Sequence, residues 1–151
     1  MKAVIQRVNY SKLKIHGKIY SEISKGLMVL LGITHEDSIN DVKWLSNKIV
    51  NIRIFNDDNG IMNKSVKEID GDIQVISQFT LHALTKKGNR PSYIHAAKGE
   101  FAESNYNLFV DEISMIFNKK IKTGKFGADM QIDFENEKHM KYVDREMLDP
   151  Y

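Results

Sequence analysis

Gly26-Leu27-Met28-Val29-Leu30-Leu31-Gly32-Ile33 is the stretch on which the fold turns. It is a continuous apolar run bounded by glycines, and such a run reads as a central strand covered on both faces. Upstream of it, Ala3-Val4-Ile5-Gln6-Arg7-Val8 reads as a strand that buries one face. Residues 12 to 23 alternate around His16-Gly17, which predicts a hairpin. Downstream, Ser38 with Asp41 three residues on has the pattern of a helix start, and Ile39, Val42, Leu45, Ile49 and Ile52 follow at helical spacing. Asn56-Asp57-Asp58-Asn59-Gly60 is a turn. Residues 72 to 81 read as a strand and 82 to 92, with Gly88 and Pro91, as a loop. Phe101, Asn105, Leu108, Phe109, Glu112, Ile113 and Ile116 mark a second amphipathic helix. Residues 120 to 135 alternate again, punctuated by Gly124 and Gly127.

Two helices cannot cover both faces of so many strands. The expected class is therefore α+β, a curved, mostly antiparallel sheet with its two main helices on one side. The apolar content of the strands leaves an uncovered face for another subunit to bury, so a homodimer is expected.

At 151 residues the chain is expected to form one domain with a sizeable core. It has no cysteine, which excludes disulfides, thiolate zinc sites and a cysteine nucleophile. The N-terminal residues lack the apolar core of a signal peptide and no run approaches a membrane span, so a cytoplasmic protein without a membrane partner is expected. The net charge of +2 is small, yet Lys86, Lys87 and Arg90 cluster in one loop and Lys119, Lys120, Lys122 and Lys125 in another. Local basic patches on a near-neutral protein suit either a phosphate-bearing partner touched at few points or an ordinary solvated surface.

Three stretches carry candidate chemistry. In Ser77-Gln78-Phe79-Thr80, an apolar strand takes on three hydrogen-bonding side chains at its end. Were the strand to continue, Gln78 and Thr80 would share a face and reach one ligand together. A Thr80 nucleophile needs a general base, and none lies in the motif; His82 is two residues further on the same face. A strand end whose polar groups merely cap backbone fits equally. Thr85 to Tyr93 mixes cations, a glycine, a proline and an aromatic, a composition able to hold phosphates and stack on a base, or simply to face water. In Phe126-Gly127-Ala128-Asp129-Met130, small residues beside an aromatic allow a ligand to approach the backbone, or form a bulge beside a core Phe. His16, His35, His82, His95 and His139 show no metal-ligand spacing, so neither metal nor cofactor is expected. Serine-hydrolase, P-loop and dinucleotide signatures are missing.

Taken in order, MKAVIQRV, KGLMVLLGI, KIVNIRIFNDDNGIMNKSV, ISQFTL, TKKGNRPSY and TGKFGADMQI resemble the D-aminoacyl-tRNA deacylases, also called D-tyrosyl-tRNA deacylases. The resemblance spans Met1 to about Asn136. It implies a homodimeric, β-barrel-like α+β fold with active sites at the subunit interface. It also implies hydrolysis of the ester between a D-amino acid, or glycine mischarged on tRNA-Ala, and the 3′-terminal adenosine of tRNA. Ser77, Gln78, Phe79 and Thr80 match the family's catalytic motif. Phe126, Gly127, Ala128 and Met130 match the region that holds the terminal adenosine, and Arg7 matches the arginine near the substrate pocket. Lys86, Lys87 and Arg90 become contacts to tRNA phosphates. An aminoacyl ester is already activated, so positioning, a water and oxyanion stabilisation suffice. The missing base favours a positioning role for Thr80 over attack.

One signature departs. Where the family has Asn-x-Gly-Pro-Val-Thr, this chain has Asn136-Glu137-Lys138-His139-Met140-Lys141. The Gly-Pro pair, which in the family excludes L-amino acids from the partner's pocket, is replaced by Lys138-His139. The end of the chain, residues 141 to 151, is charge-rich where an apolar final strand is expected. Lost chiral selectivity, lost catalysis with RNA or DNA binding retained in the dimer, and an altered tail all fit this departure.

Overall fold

The computed structural model describes the backbone of residues 1–144 and the side chains of residues 1–137. The Gly26 run forms strand β3, Gly26–Gly32, at the centre of the molecule. Leu27, Val29 and Leu31 pack on one face with the helices, and Met28 packs on the other. Before it lie β1, Lys2–Ile15, and β2, Lys18–Ile23. After it come helix α1, Ile39–Asn51, a small hairpin of β4, Phe55–Asn56, and β5, Met62–Lys64, then β6, Asp72–Ser77. Helix α2, Gly99–Phe117, leads to β7, Lys122–Thr123, and β8, Gln131–Asp144.

β1 is one long strand, where the sequence suggested a strand followed by a separate hairpin. Its first half pairs with β3, its second half with β2, and β8 runs antiparallel along its other edge. β3 then pairs with β6, and β6 with β7, both in parallel. Three of the five ladders of this sheet are antiparallel, and the whole is a curved, mixed sheet of the expected α+β class. The parallel ladders have a simple cause. A helix-containing crossover, α1 or α2, precedes the second strand of each pair and returns the chain in the same direction.

Both helices pack on one face. Val42, Leu45 and Ile49 of α1 and Phe109 and Ile113 of α2 meet Ile5, Leu27, Val29, Ile73 and Val75 of the sheet, all nearly inaccessible to solvent. Each such side chain contributes about 1.5–3 kcal/mol by leaving water. The start of α1 is as expected: the Asp41 carboxylate accepts hydrogen bonds from the Ser38 backbone N–H at 2.8 Å and hydroxyl at 2.9 Å. The opposite face of the sheet has a smaller buried cluster, Val8, Leu13, Ile23, Met28 and Ile76, rimmed by half-buried Leu30, Met130, Ile132 and Phe134. Within it the Gln74 side chain ties three strands together. It accepts from Ser11 at 2.6 Å and donates to Ser21 at 2.9 Å.

One local expectation is corrected, and the turn expected at 56–60 is present. The strand read over residues 72 to 81 ends at Ser77, and Phe79–His82 is a single turn of 3-10 helix. The turn at 56–60 belongs to the β4–β5 hairpin, whose strands are too short to leave a period in the sequence. No described helix is long and apolar enough to cross a membrane.

Candidate active site

β6 delivers Ile76 and Ser77 to the edge of the sheet, and the chain then bends. The Gln78 N–H still bonds the Leu31 carbonyl at 2.7 Å, one last rung of the β3–β6 ladder. The 3-10 turn that follows reorganises the motif. Alternation of faces no longer applies, yet Gln78 and Thr80 do meet, because the Gln78 amide donates directly to the Thr80 hydroxyl oxygen. Phe79 is left more than half exposed, its ring edge-on to Tyr93 at a centroid distance of 5.1 Å.

Beside this turn lies a cavity of about 600 Å³. Ile76, Ser77, Gln78 and Phe79 line it, Thr80 does not, and Phe126 to Met130 with Ile132 line it as well. Two stretches some fifty positions apart, each singled out in the sequence, thus line one space. The loop before β8 is shaped for this. Gly127 has φ +76°, a left-handed conformation suited to glycine, and a Cβ on Gly124 would stand 2.6 Å from the Met130 sulfur. Phe126 rests on Tyr106 of α2 at a centroid distance of 6.0 Å. Tyr106 in turn donates its buried hydroxyl to the Val75 carbonyl at 2.7 Å. Burial pushes that hydroxyl up to about 12, so it remains a neutral donor.

The third wall, Ala96, Ala97, Lys98 and Gly99, was not picked out in the sequence. The only signal for it is a run of small residues before a helix. It brings the N-terminus of α2 and the Lys98 side chain to the cavity, and no side chain caps that helix end. That helix end and Lys98 bring positive charge to this wall, while Asp129 brings a carboxylate to the same cavity.

Other expected residues stand elsewhere. Lys86, Lys87 and Arg90 are exposed on a loop whose ends are pinned by paired hydrogen bonds between Leu84 and Ser92, at 2.8 and 3.0 Å. They adjoin the Phe79–Tyr93 wall and do not line the cavity. His82 lines a second cavity and not this one. Arg7 does not line the cavity either. It is buried beneath β8, where it donates to the Glu137 carboxylate at 2.6 Å, the Ile54 carbonyl at 2.9 Å and the Asn56 side chain at 2.9 Å, with its guanidinium 5.3 Å from the centre of the Phe55 ring. Between Val8 and Gln6 the β8 partner moves from Asn136 to Met140, so Glu137, Lys138 and His139 bulge opposite Arg7 alone. Lys138-His139 therefore sits in the bulge that Arg7 and Glu137 anchor; its side chains, and residues 145 to 151 altogether, lie outside the described part. Among the described residues no group of three or more His, Asp or Glu is arranged to hold a metal ion.

The sequence profile described as D-Tyr-tRNA(Tyr) deacylase matches residues 4–140. The chain belongs to this family. The D-aminoacyl-tRNA deacylase of Bacteroides fragilis is 54% identical over 137 residues, 91% of this chain and 91% of that one. Among solved structures, the c-Myc DNA Unwinding Element Binding Protein superposes with a TM-score of 0.91 at 37% identity, covering 95% of this chain and 98% of that chain. A probable eukaryotic D-amino acid tRNA deacylase shares the fold, with a TM-score of 0.79 at 14% identity over 94% of this chain and 98% of that one. The deacylase-family match runs through Lys138 and His139 and ends at Met140.

Proposed function

We propose that the chain hydrolyses the ester linking a D-amino acid to the 3′-terminal adenosine of tRNA, releasing the free amino acid and tRNA. One observation carries the reading: Ser77 to Phe79 and Phe126 to Met130 line a single cavity of about 600 Å³. Aromatic, glycine and alanine surfaces suit a nucleoside, and the polar strand end suits the ester.

The work asked of the protein is modest. The aminoacyl ester needs a water held on its carbonyl carbon and donors where the oxyanion develops. Phe79 and Thr80 begin a 3-10 turn, and the first N–H groups of a turn have no carbonyl of that turn to bond. They are the proposed oxyanion donors. Thr80 accepts from Gln78 and so keeps its own hydroxyl proton to offer. That arrangement supports a positioning role; a nucleophile would need a base to take the proton. The substrate's ribose 2′-hydroxyl is the proposed aid to the attacking water. Glycyl-tRNA is a second proposed substrate.

Lys86, Lys87 and Arg90 are proposed to contact phosphates of the acceptor end. The half-buried apolar rim of Leu30, Ile132 and Phe134 supports a homodimer, in which the Lys138-His139 bulge, anchored by Arg7, would meet the partner's pocket. The whole domain, 1–151, is read as acting in the cytoplasm. Release of D-tyrosine from D-Tyr-tRNA by substoichiometric protein tests the reading.

The replacement of Gly-Pro by Lys138-His139 supports a second reading, a catalytically impaired dimer that binds RNA or DNA. It would retain the nucleic acid with a steep salt dependence and no turnover.

A further inference from the structure

The turn that carries Gln78 and Thr80 is a partition between two cavities of similar size. Gln78 and Phe79 line the one of about 600 Å³, while His82, Ala83 and Leu84 line another of about 570 Å³. The neighbouring strip alternates in the same way: Tyr93 faces the first cavity, Ile94 and His95 the second, Ala96 and Ala97 the first again. A wall with open space on both sides is not held by close packing from either side. Its position must come from its edges and from beneath.

Beneath it is Gly32, the last residue of β3. A Cβ added there would approach the His82 Cδ2 and Leu81 Cβ atoms to 3.0 Å and the Gln78 carbonyl oxygen to 3.1 Å. Three residues of the turn therefore converge on one bare Cα. His82 is the largest of these contacts from the side of the second cavity. It is only 5% exposed, and its Nε2 is the single buried side-chain nitrogen or oxygen without a hydrogen-bond partner among the described residues. Burying a polar atom unpaired is costly, and what the ring contributes in return is bulk under the turn beside a hydrogen bond to the Gly32 backbone.

We propose that His82 is a positioning residue of the active site: seated on the bare Cα of Gly32, its ring fixes the height of the Gln78–Thr80 turn between the two cavities. The proposal rests on the deacylase reading of the first cavity. Removing the ring lets the second cavity extend under the turn, and the Phe79 and Thr80 N–H groups lose their aim. Adding a methyl at Gly32 lifts the same turn from below.

The test measures kcat and KM for D-Tyr-tRNA, and amide hydrogen exchange of the peptide spanning Ser77 to Ala83, in His82→Ala, His82→Phe and Gly32→Ala. Misplacing a catalytic donor by a fraction of an ångström is expected to lower kcat about 10–100-fold in His82→Ala, with KM changed less than about twofold. Exchange should rise in that peptide and stay as in the wild type in β1 and α2. His82→Phe, which restores the ring, should recover both readings. Gly32→Ala opens no cavity, so it keeps the test decisive should His82→Ala not fold; it too must lower kcat and raise exchange in the turn. Wild-type kcat and exchange in either alanine variant overturn the proposal, as does a loss confined to KM, or a His82→Phe as impaired as His82→Ala. If the wild type itself releases no D-tyrosine, the deacylase reading fails separately. Exchange then decides alone: a rise confined to the turn supports the positioning role, and its absence or a rise throughout the chain overturns it.

Discussion

β6 and β8 both abandon regular pairing at a candidate site motif, and they do so in opposite ways. β6 stops. After Ser77 the chain curls into one turn whose polar side chains bond each other, Gln78 to Thr80, and whose backbone is tied to β3 through the Leu31 carbonyl. β8 bulges and continues. Three residues swell opposite Arg7, and the pairing with β1 resumes from Met140 to Asp144. The first device sets Ser77, Gln78 and Phe79 against a cavity of the same chain. The second is fastened by a buried arginine. A polar motif at a strand end is thus read as chemistry, and a bulge held from behind as a shaped surface for something outside the chain.

The largest effect should come from the β6 turn. Thr80→Ala is expected to lower kcat about 10²-fold, the scale for loss of one positioned donor, with Thr80→Ser within about fivefold of the wild type. Trapping an acyl-Thr80 adduct would reverse the assignment and make Thr80 the attacker. On the β8 side the cost should appear in stability. Arg7→Ala removes three hydrogen bonds from a buried guanidinium and leaves Glu137 without that partner, which is about a third exposed and so partly rehydrated. A loss of about 2–3 kcal/mol in urea unfolding is expected. An unfolding midpoint equal to the wild type would show that the bulge does not depend on its anchor.

Smaller effects sharpen the contrast between the two walls. Tyr106→Phe deletes the bond to the Val75 carbonyl while keeping the ring under Phe126, and should cost about 1 kcal/mol with little change in kcat. A large loss of turnover there would mean that the hydroxyl, and not the ring, sets the position of β6. The smallest is a pH effect. Burial, followed by the positive charges of the Met1 amino group and Lys2, holds the His82 imidazole below its ordinary 6.5, against the opposing Gly32 carbonyl and Asp37. His35, Glu36, Asp41 and His95 face the same cavity. A lowered folded-state value means that protonation favours the unfolded chain. Stability is therefore full above about pH 6.5 and is lost as the pH falls below it. Thermal midpoints at pH 7.5 and 5.5 should fall further in the wild type than in His82→Phe; an equal fall would remove His82 as the cause.

Much of the fold is legible in the sequence, for physical reasons. The unbroken apolar run of β3, the Ser38–Asp41 helix start and the two helical spacings are local patterns, and each produces its element. What is not legible is set by distant contacts. Nothing between Ile73 and Leu81 is a glycine or proline, so the strand reads as continuous; it ends at Ser77 where the turn settles over Gly32, more than forty residues away. Three of the four residues of the Ala96–Gly99 wall are alanine or glycine, which carry no chemical signature. Arg7 reads as a pocket residue by resemblance, while its partner Glu137 lies 130 positions along and becomes visible only when β8 pairs with β1.

The most direct measurement is the release of free amino acid from D-Tyr-tRNA and L-Tyr-tRNA by the wild-type chain at substoichiometric concentration. Many turnovers of D-Tyr-tRNA are expected, and their loss in Thr80→Ala. Retention of the RNA with no D-tyrosine released would contradict it, and would leave a nucleic-acid-binding protein built on a deacylase fold.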